Sequence, residues 1–281
     1  VRIVLPGALA DRAAEVAAGE RPAVELQPAS TVVLLRPGPS GAPEAYLQRR
    51  HRSLAFAGGM FAFPGGRIDA ADTVVPDHTW GGPSPQRWAE WFGCPDPAQA
   101  RAHVVGVVRE LFEETGVLLS LPVDTGASRT ATEADRAAVT DGRPLGDLLA
   151  EIGHRLDSAA LRPWARWLTP RFESRRFDAW FFVAALPAAQ QPRVATDEAH
   201  EGRWVAPDQA ERAMREGELA MLPPTWWTLR QLAAHPDVES VLAGPAPLLR
   251  YTVGWAREGD DAVMVLPDDP RYPGDDPLEG S

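Results

Sequence analysis

There is no lysine in this chain: all 28 of its basic residues are arginine. Schiff-base and lysine-nucleophile chemistry are therefore excluded, and every fixed cation is a planar guanidinium. The abundance of Ala, Arg, Pro and Gly beside this absence points to coding bias rather than to function. Cysteine is nearly absent too. One residue, Cys94, in a chain of 281 allows no internal disulfide and no multi-cysteine metal site, so a reducing, cytoplasmic setting is expected. No apolar run approaches the ~20 residues that span a bilayer, and no membrane partner is expected. Asp11, Glu15 and Glu20 stand where a secretory leader would carry a basic segment running into an apolar one. Positive charge is in deficit. A net charge of −11 argues against a general nucleic-acid binder, whose affinity comes from neutralising phosphates. An anionic substrate stays open, because a bound metal reverses the local field.

What is present reads as an ordinary soluble chain, 44% hydrophobic and 24% charged. Residues 1–28 form an N-terminal extension with a short helical pattern around Asp11–Gly19. Thr31–Arg36 reads as a buried strand, and Glu44–Arg50 as its hairpin partner across the Pro/Gly turn 37–43. Met60–Phe63 is a short strand entering the loop Pro64-Gly65-Gly66. Pro85–Phe92 is a helix candidate, Thr132–Val139 and Pro144–Leu156 also look helical, and Val117–Leu121 is free to be a strand. Trp164–Thr169 and Phe177–Leu186 read as strands, the second so continuously apolar that it belongs in the sheet centre. Arg203–Val205 is a further strand, with helices near Pro207–Gly217 and Thr225–His235 and a last strand at Val263–Leu266. From Pro267 to the end a Pro/Asp/Gly-rich tail is expected to be poorly ordered. The pattern predicts one α/β sandwich over residues 29–266.

The stretch Arg109-Glu110-Leu111-Phe112-Glu113-Glu114-Thr115-Gly116-Val117 carries the most chemistry. Glu110, Glu113 and Glu114 are three and four residues apart and share one helix face. Val104, Val108, Leu111 and Phe112 make an apolar stripe opposite. Like charges so placed cost a few tenths of a kcal/mol per pair, roughly. They make sense around a hard cation, because carboxylate oxygen is what Mg²⁺ prefers. Asp96-Pro97 supplies a start for this helix, and Gly116 a left-handed end.

Here the chain resembles the Nudix hydrolases, whose signature is Gly-x5-Glu-x7-Arg-Glu-aliphatic-x-Glu-Glu-x-Gly-aliphatic. Arg109, Glu110, Leu111, Glu113, Glu114, Gly116 and Val117 match the second half, but Pro95 and Arg101 stand where the first half would fall. That half lies upstream, in Phe63-Pro64-Gly65-Gly66-Arg67-Ile68-Asp69-Ala70-Ala71-Asp72, where Gly66 and Asp72 keep the Gly-x5 spacing with Asp replacing Glu. Residues 73–108 separate the halves where the family pattern has seven residues, so the box is split by an insertion of 29. The split, with Trp167-Leu168-Thr169-Pro170, Arg176-Phe177-Asp178, Glu201-Gly202-Arg203-Trp204 and Leu222-Pro223-Pro224-Thr225, is similar to the branch that contains the peroxisomal coenzyme A diphosphatases.

The resemblance implies a Nudix α/β/α sandwich with a mixed sheet, an insertion inside the box and extra C-terminal helices. It implies metal-dependent hydrolysis of a diphosphate bond, with Mg²⁺ or Mn²⁺ as cofactor and a small-molecule diphosphate as partner. Coenzyme A or acyl-coenzyme A is the leading substrate; ADP-ribose, nucleotide sugars or dinucleotides are alternatives, as is a ligand-sensing Nudix module without turnover. Glu110, Glu113 and Glu114, with the carbonyl of Gly65, are the implied metal ligands. Arg109 would orient Glu113 through an ion pair. The base is open among Glu110, Glu113, Glu198 and Glu201, and Asp69 and Asp72 are either ligands, supporting groups or ordinary loop acids. Arg49, Arg50 and Arg52 are a candidate phosphate clamp or a solvated strand end. Trp88, Trp91 and Phe92 read as packing of the insertion, with a lid or a homodimer contact as alternatives. Cys94 and His51 read as bystanders.

Overall fold

A computed structural model describes residues 3–52, 57–123, 128–194, 199–243 and 249–272. Its frame follows from the strands that are apolar on both faces. In β1 (Leu26–Pro37) Val32 and Leu34 point into one core, while Val33 and Leu35 point into another. Alternate residues of a strand face opposite sides, so a run without polar interruption requires cover on both. β2 (Pro43–Arg50) forms the hairpin with β1. The short β3 (Phe61–Ala62) and β4 (Gly65–Arg67) pair with β2 and β1 respectively.

The rest of the chain supplies the cover and widens the sheet. α1 (Gly7–Ala17) precedes it. Then come β5 (Trp80–Gly81), α2 (Pro85–Phe92), α3 (Pro97–Thr115), β6 (Ser120–Pro122), α4 (Glu133–Thr140), α5 (Leu145–Glu151) and β7 (His154–Asp157). β8 (Leu161–Leu168), β9 (Arg176–Ala185) and β10 (Ala199–Val205) follow, then α6 (Pro207–Arg215), α7 (Pro223–Leu232), α8 (Val238–Ala243), β11 (Leu249–Thr252), β12 (Gly254–Glu258) and β13 (Asp261–Val265). The main sheet runs β10-β2-β1-β9-β8-β11, with β1 parallel to β9, β11 parallel to β8, and the other pairs antiparallel. α2, α3, α4 and α5 lie over one face, α6, α7 and α8 over the other. This is the expected mixed α/β/α sandwich, with β9 central. Among the described residues no helix is long and apolar enough to cross a membrane.

Several local expectations change. Pro144–Leu156 is not one helix: α5 stops at Glu151, Gly153 turns the chain at φ 67°, and His154–Asp157 pairs as a strand with β5 and β6. Val117–Leu119 is buried coil, and only Ser120–Pro122 pairs, in that three-stranded side sheet. The Gly65-Gly66 loop is itself a strand edge, since Thr31 registers with Gly65. α8, β11 and β12 carried no sequence signal. Residues 267–272, placed in the expected tail, form turns tied down by the Tyr272 hydroxyl, which accepts from the Thr252 N–H at 3.0 Å. Residues 273–281 lie outside the described residues.

The insertion is part of the core. Trp88 and Phe92 of α2 are 0% and 1% exposed, and Phe92 stacks on Trp180 of β9 at 4.1 Å between centroids. Burying two such rings contributes several kcal/mol, on the order of 2–3 each. Packing is therefore their role, and neither ring is available as a lid or a dimer contact.

One buried histidine fastens α3 to the sheet. His103 also stacks on Trp180, 3.9 Å between ring centroids and within 3° of parallel. Ser30 Oγ donates to the His103 carbonyl at 3.0 Å and lies 2.9 Å from Nδ1. Which of the two atoms donates in that contact follows the imidazole tautomer. Burial pushes the imidazole down to about 4, with Asp178 pulling it up and Arg166 pushing it further down. An unfolded histidine takes a proton near pH 6.5 while this one stays neutral, so stability falls as pH drops from 6.5 towards 4. The whole step is worth roughly 3 kcal/mol. His103→Gln should flatten the melting temperature over this window relative to the parent; an unchanged slope in thermal melts would refute the assignment.

Candidate active site

α3 is anchored at both ends before any chemistry is asked of it. Asp96 Oδ1 accepts from the Ala98 N–H at 2.9 Å, Pro97 occupies the first turn, and Gly116 closes the helix at φ 74°. Near the C-terminus Arg136 of α4 donates to the Glu113 carbonyl at 2.7 Å, and the Arg193 N–H donates to the Thr115 carbonyl at 2.9 Å. Orphan carbonyls of the last turn are thereby paired and the acidic end is held in register.

Arg109 organises the site. It is 5% exposed and donates through Nε and Nη2 to both oxygens of Asp72, at 2.8 and 2.9 Å. Nη1 donates to Glu110 at 2.9 Å and to Glu113 at 3.2 Å, and Nη2 also reaches the Arg67 carbonyl at 2.9 Å. Asp69, 60% exposed, lies 3.7 Å away. Burial alone would lower this guanidinium, but the Asp72 bond and the Glu110, Asp72 and Glu113 charges together raise it. Asp72 sits on the short 3-10 turn Ala70–Thr73, where it also accepts from the Asp69 N–H at 2.8 Å. Gly106 makes this approach possible: a Cβ there would lie 2.7 Å from Ile68 Cδ1 and 3.0 Å from Asp72 Oδ2.

The glycine loop lies directly against the glutamates. A Cβ on Gly66 would come within 2.6 Å of the Glu110 carboxyl carbon. Gly65 has φ 153°, and a Cβ there would be 2.7 Å from Thr31 Cα. The Gly65 N–H donates to Glu114 Oε2 at 3.0 Å, and Gln48 Nε2 donates to the same oxygen at 3.2 Å. The two halves of the split signature thus meet in space. Burial raises Glu110 to about 7, with Arg109 pulling it down and Glu113 pushing it up, and burial raises Glu113 in the same way. Tyr46, below Glu114, is pushed up to about 12 by burial and that charge.

The donor chemistry fits a hard divalent cation. One guanidinium faces Asp69, Asp72, Glu110 and Glu113, so the cluster carries excess negative charge when ionised. As the side chains stand, Glu110 and Glu113 turn to Arg109 and Glu114 turns to Gly65. Among the described residues no three acidic, histidine or cysteine groups converge on one point. Coordination therefore requires the glutamates to rotate from Arg109 towards the ion.

Other predicted residues separate. Asp72 is 1% exposed and consumed by Arg109, which fits a supporting role and not a ligand. Glu201 pairs with Arg49 at 3.6 Å and with Arg203 at 2.9 Å, and both guanidiniums lie over Phe61, in the core of the α6–α7 face. Strand alternation puts Glu201 on the opposite side of the sheet from Glu114, away from any role as base. The same alternation divides the arginines: Arg50 shares its face with Gln48, whereas Arg49 binds the Gly59 carbonyl at 3.2 Å on the other. Arg52 is exposed beyond the strand end, so the three form no single clamp. Glu198 lies outside the described residues. Cys94 is buried and hydrogen-bonds Gln99 Oε1 at 3.1 Å, apart from the carboxylates. Gln48, Arg136 and the Arg67 carbonyl carried no sequence signal, because hydrogen bonds between residues far apart in the chain leave no period.

A family model described as the NUDT19 Nudix domain matches residues 91–232. The chain belongs to this Nudix family. Acyl-coenzyme A diphosphatase NUDT19 of Homo sapiens is 29% identical over 84% of this chain and 74% of that one. The Xenopus laevis protein of the same name is 25% identical over 84% and 73%. Among solved structures, a Nudix hydrolase from Alicyclobacillus acidocaldarius superposes with a TM-score of 0.68 at 26% identity, covering 79% of this chain and 98% of its own. The Nudix domain of this chain thus keeps the fold while carrying α2 between the halves of its signature.

Two outcomes follow from the charges. Asp72→Asn leaves Arg109 buried without its bidentate partner and should cost about 3–5 kcal/mol in urea unfolding; a loss under 1 kcal/mol would show the pair to be dispensable. Glu110 is raised in the folded state, so its contribution is present below pH 4.5 and lost as pH rises through about 7. In EDTA at pH 8, Glu110→Gln should therefore melt higher than the parent, and a lower melting temperature would contradict the burial argument.

Proposed function

We propose that this Nudix hydrolase is a divalent-metal-dependent diphosphatase of coenzyme A and acyl-coenzyme A. Water would add to one phosphorus and the bridging P–O bond would break, giving adenosine 3′,5′-bisphosphate and a phosphopantetheine product. The observation that carries the reading is the meeting of Glu110, Glu113 and Glu114 with the Gly65–Gly66 edge around the buried Arg109. The substrate class rests on the two acyl-coenzyme A diphosphatases to which most of the chain is similar.

In this reading Glu110, Glu113, Glu114 and the Gly65 carbonyl would hold Mg²⁺ or Mn²⁺. The bound ion would neutralise the diphosphate oxygens and acidify a water. As the side chains stand, Arg109 keeps Glu110 and Glu113 together through one Nη1 atom, and both would rotate from it towards the ion. Glu110 and Glu113 are also the candidates to take a proton from water. Arg50 projects on the same face as Gln48, and its buried Nε has no partner among the described residues, which suits an anionic oxygen of the substrate.

The test is a panel of coenzyme A, acyl-coenzyme A, 3′-dephospho-coenzyme A, ADP-ribose, nucleotide sugars and dinucleotides, with product identification. Coenzyme A species should be cleaved with the highest kcat/KM; cleavage of another member alone would replace the substrate, and no turnover of any would favour a sensing module. Glu113→Gln should lower kcat by at least about a hundredfold at unchanged fold, and Arg50→Gln should raise KM by roughly tenfold with kcat little changed.

A further inference from the structure

Gln48 is an unusual residue to find in the middle of a buried strand. It is 4% exposed, and its ladder neighbours are Ala62 and Gly202, neither of which offers a polar side chain. Among the described residues its amide nitrogen has one partner, Glu114 Oε2 at 3.2 Å, an oxygen that also accepts from the Gly65 N–H at 3.0 Å. Its carbonyl Oε1 is buried and has no partner among the described residues. A stranded amide oxygen is destabilising, and an apolar residue of similar shape would avoid that cost. Packing therefore gives no reason for glutamine here. The position faces α3, beside the last of the three signature glutamates.

We infer that Gln48 is a positioning residue for the metal centre: its amide N–H fixes the rotamer of Glu114, and its carbonyl is reserved for a water of the ion's hydration shell. The inference rests on the metal-site reading above. Two donors from different strands, Gln48 on β2 and Gly65 on β4, converge on one carboxylate oxygen. They immobilise a side chain that would otherwise have several rotamers to lose on binding. Mg²⁺ retains waters when it binds protein, and each such water brings a hydrogen that needs an acceptor. Gln48 Oε1 is an acceptor with nothing to accept from until the ion arrives. The unfavourable orphan in the metal-free protein becomes a favourable contact in the loaded one. A glutamate at 48 would lose the donor and repel Glu114, and a leucine would lose both functions while keeping the volume.

The experiment measures Mn²⁺ affinity by electron paramagnetic resonance, alongside melting temperature in EDTA, for the full chain and for Gln48→Leu, Gln48→Glu and Glu114→Gln. Gln48→Leu should bind Mn²⁺ about tenfold more weakly, in the range found when groups supporting metal ligands are removed. Its melting temperature in EDTA should match or exceed that of the parent, because the stranded oxygen is gone. Gln48→Glu should also lose affinity, and it serves in its place if the leucine variant is poorly soluble. Unchanged Mn²⁺ affinity in both variants overturns the inference. So does a loss of affinity that comes with a lower melting temperature in EDTA, which marks a structural glutamine. Glu114→Gln separates the two levels. If it binds Mn²⁺ like the parent, the metal-site reading itself has failed; if it loses the ion while both Gln48 variants keep it, only the role of Gln48 has.

Discussion

A cation buried among carboxylates is the constraint from which the site is built. Arg109 cannot be neutralised and is almost wholly out of water, so each of its donors must be matched. Asp72 takes two, the Arg67 carbonyl one, and the glutamates share the rest. Such a network is rarely a net gain in stability, because desolvating the charges offsets most of their attraction. Its value lies in geometry. It draws the 3-10 turn of the first half-signature onto the helix of the second, and Gly106 has no side chain so that it can. The glutamates that it leaves partly uncompensated then have a reason to want a further cation.

The two sheet faces divide the labour. The α3 face carries the acids, Tyr46, Gln48 and the His103–Trp180 stack, while the α6–α7 face carries an aromatic and aliphatic core with Phe61, Trp167 and Trp226. A strand crossing between them serves both by alternation. β2 shows this residue by residue: Leu47 packs on one side, Gln48 reaches Glu114 on the other, and Arg49 returns to Phe61. Clusters of like residues in sequence are for that reason poor guides to clusters in space whenever they sit on a strand.

What was legible in the sequence was local or periodic. Ser84-Pro85 and Asp96-Pro97 announce helix starts, Gly93 and Gly116 announce ends, and β9 shows its centrality by being apolar throughout. The signature glutamates were legible because a helix places them on one face whatever surrounds it. The arginine triplet adjoins in sequence but not in space, because neighbours along a strand point to opposite faces. Gln48 and Arg136 were invisible, since a partner 66 or 23 residues away leaves no mark on spacing. The side sheet was missed because three strands of two to four residues fall below any alternation that can be counted.

The segment that splits the signature has one more consequence, for the order in which the molecule can assemble. Phe92 and Trp88 fill space between α3 and β9, so α2 is enclosed by the very elements that it separates. The glycine edge and the acidic helix cannot come together around an empty middle without leaving a void of two aromatic rings. Closing the loop from residue 73 to 96 and docking α2 is therefore the same event as bringing Asp72 to Arg109. Local opening of α2 would loosen the acidic helix as well as expose the core, which ties the life of the site to a cooperative unit larger than the site itself.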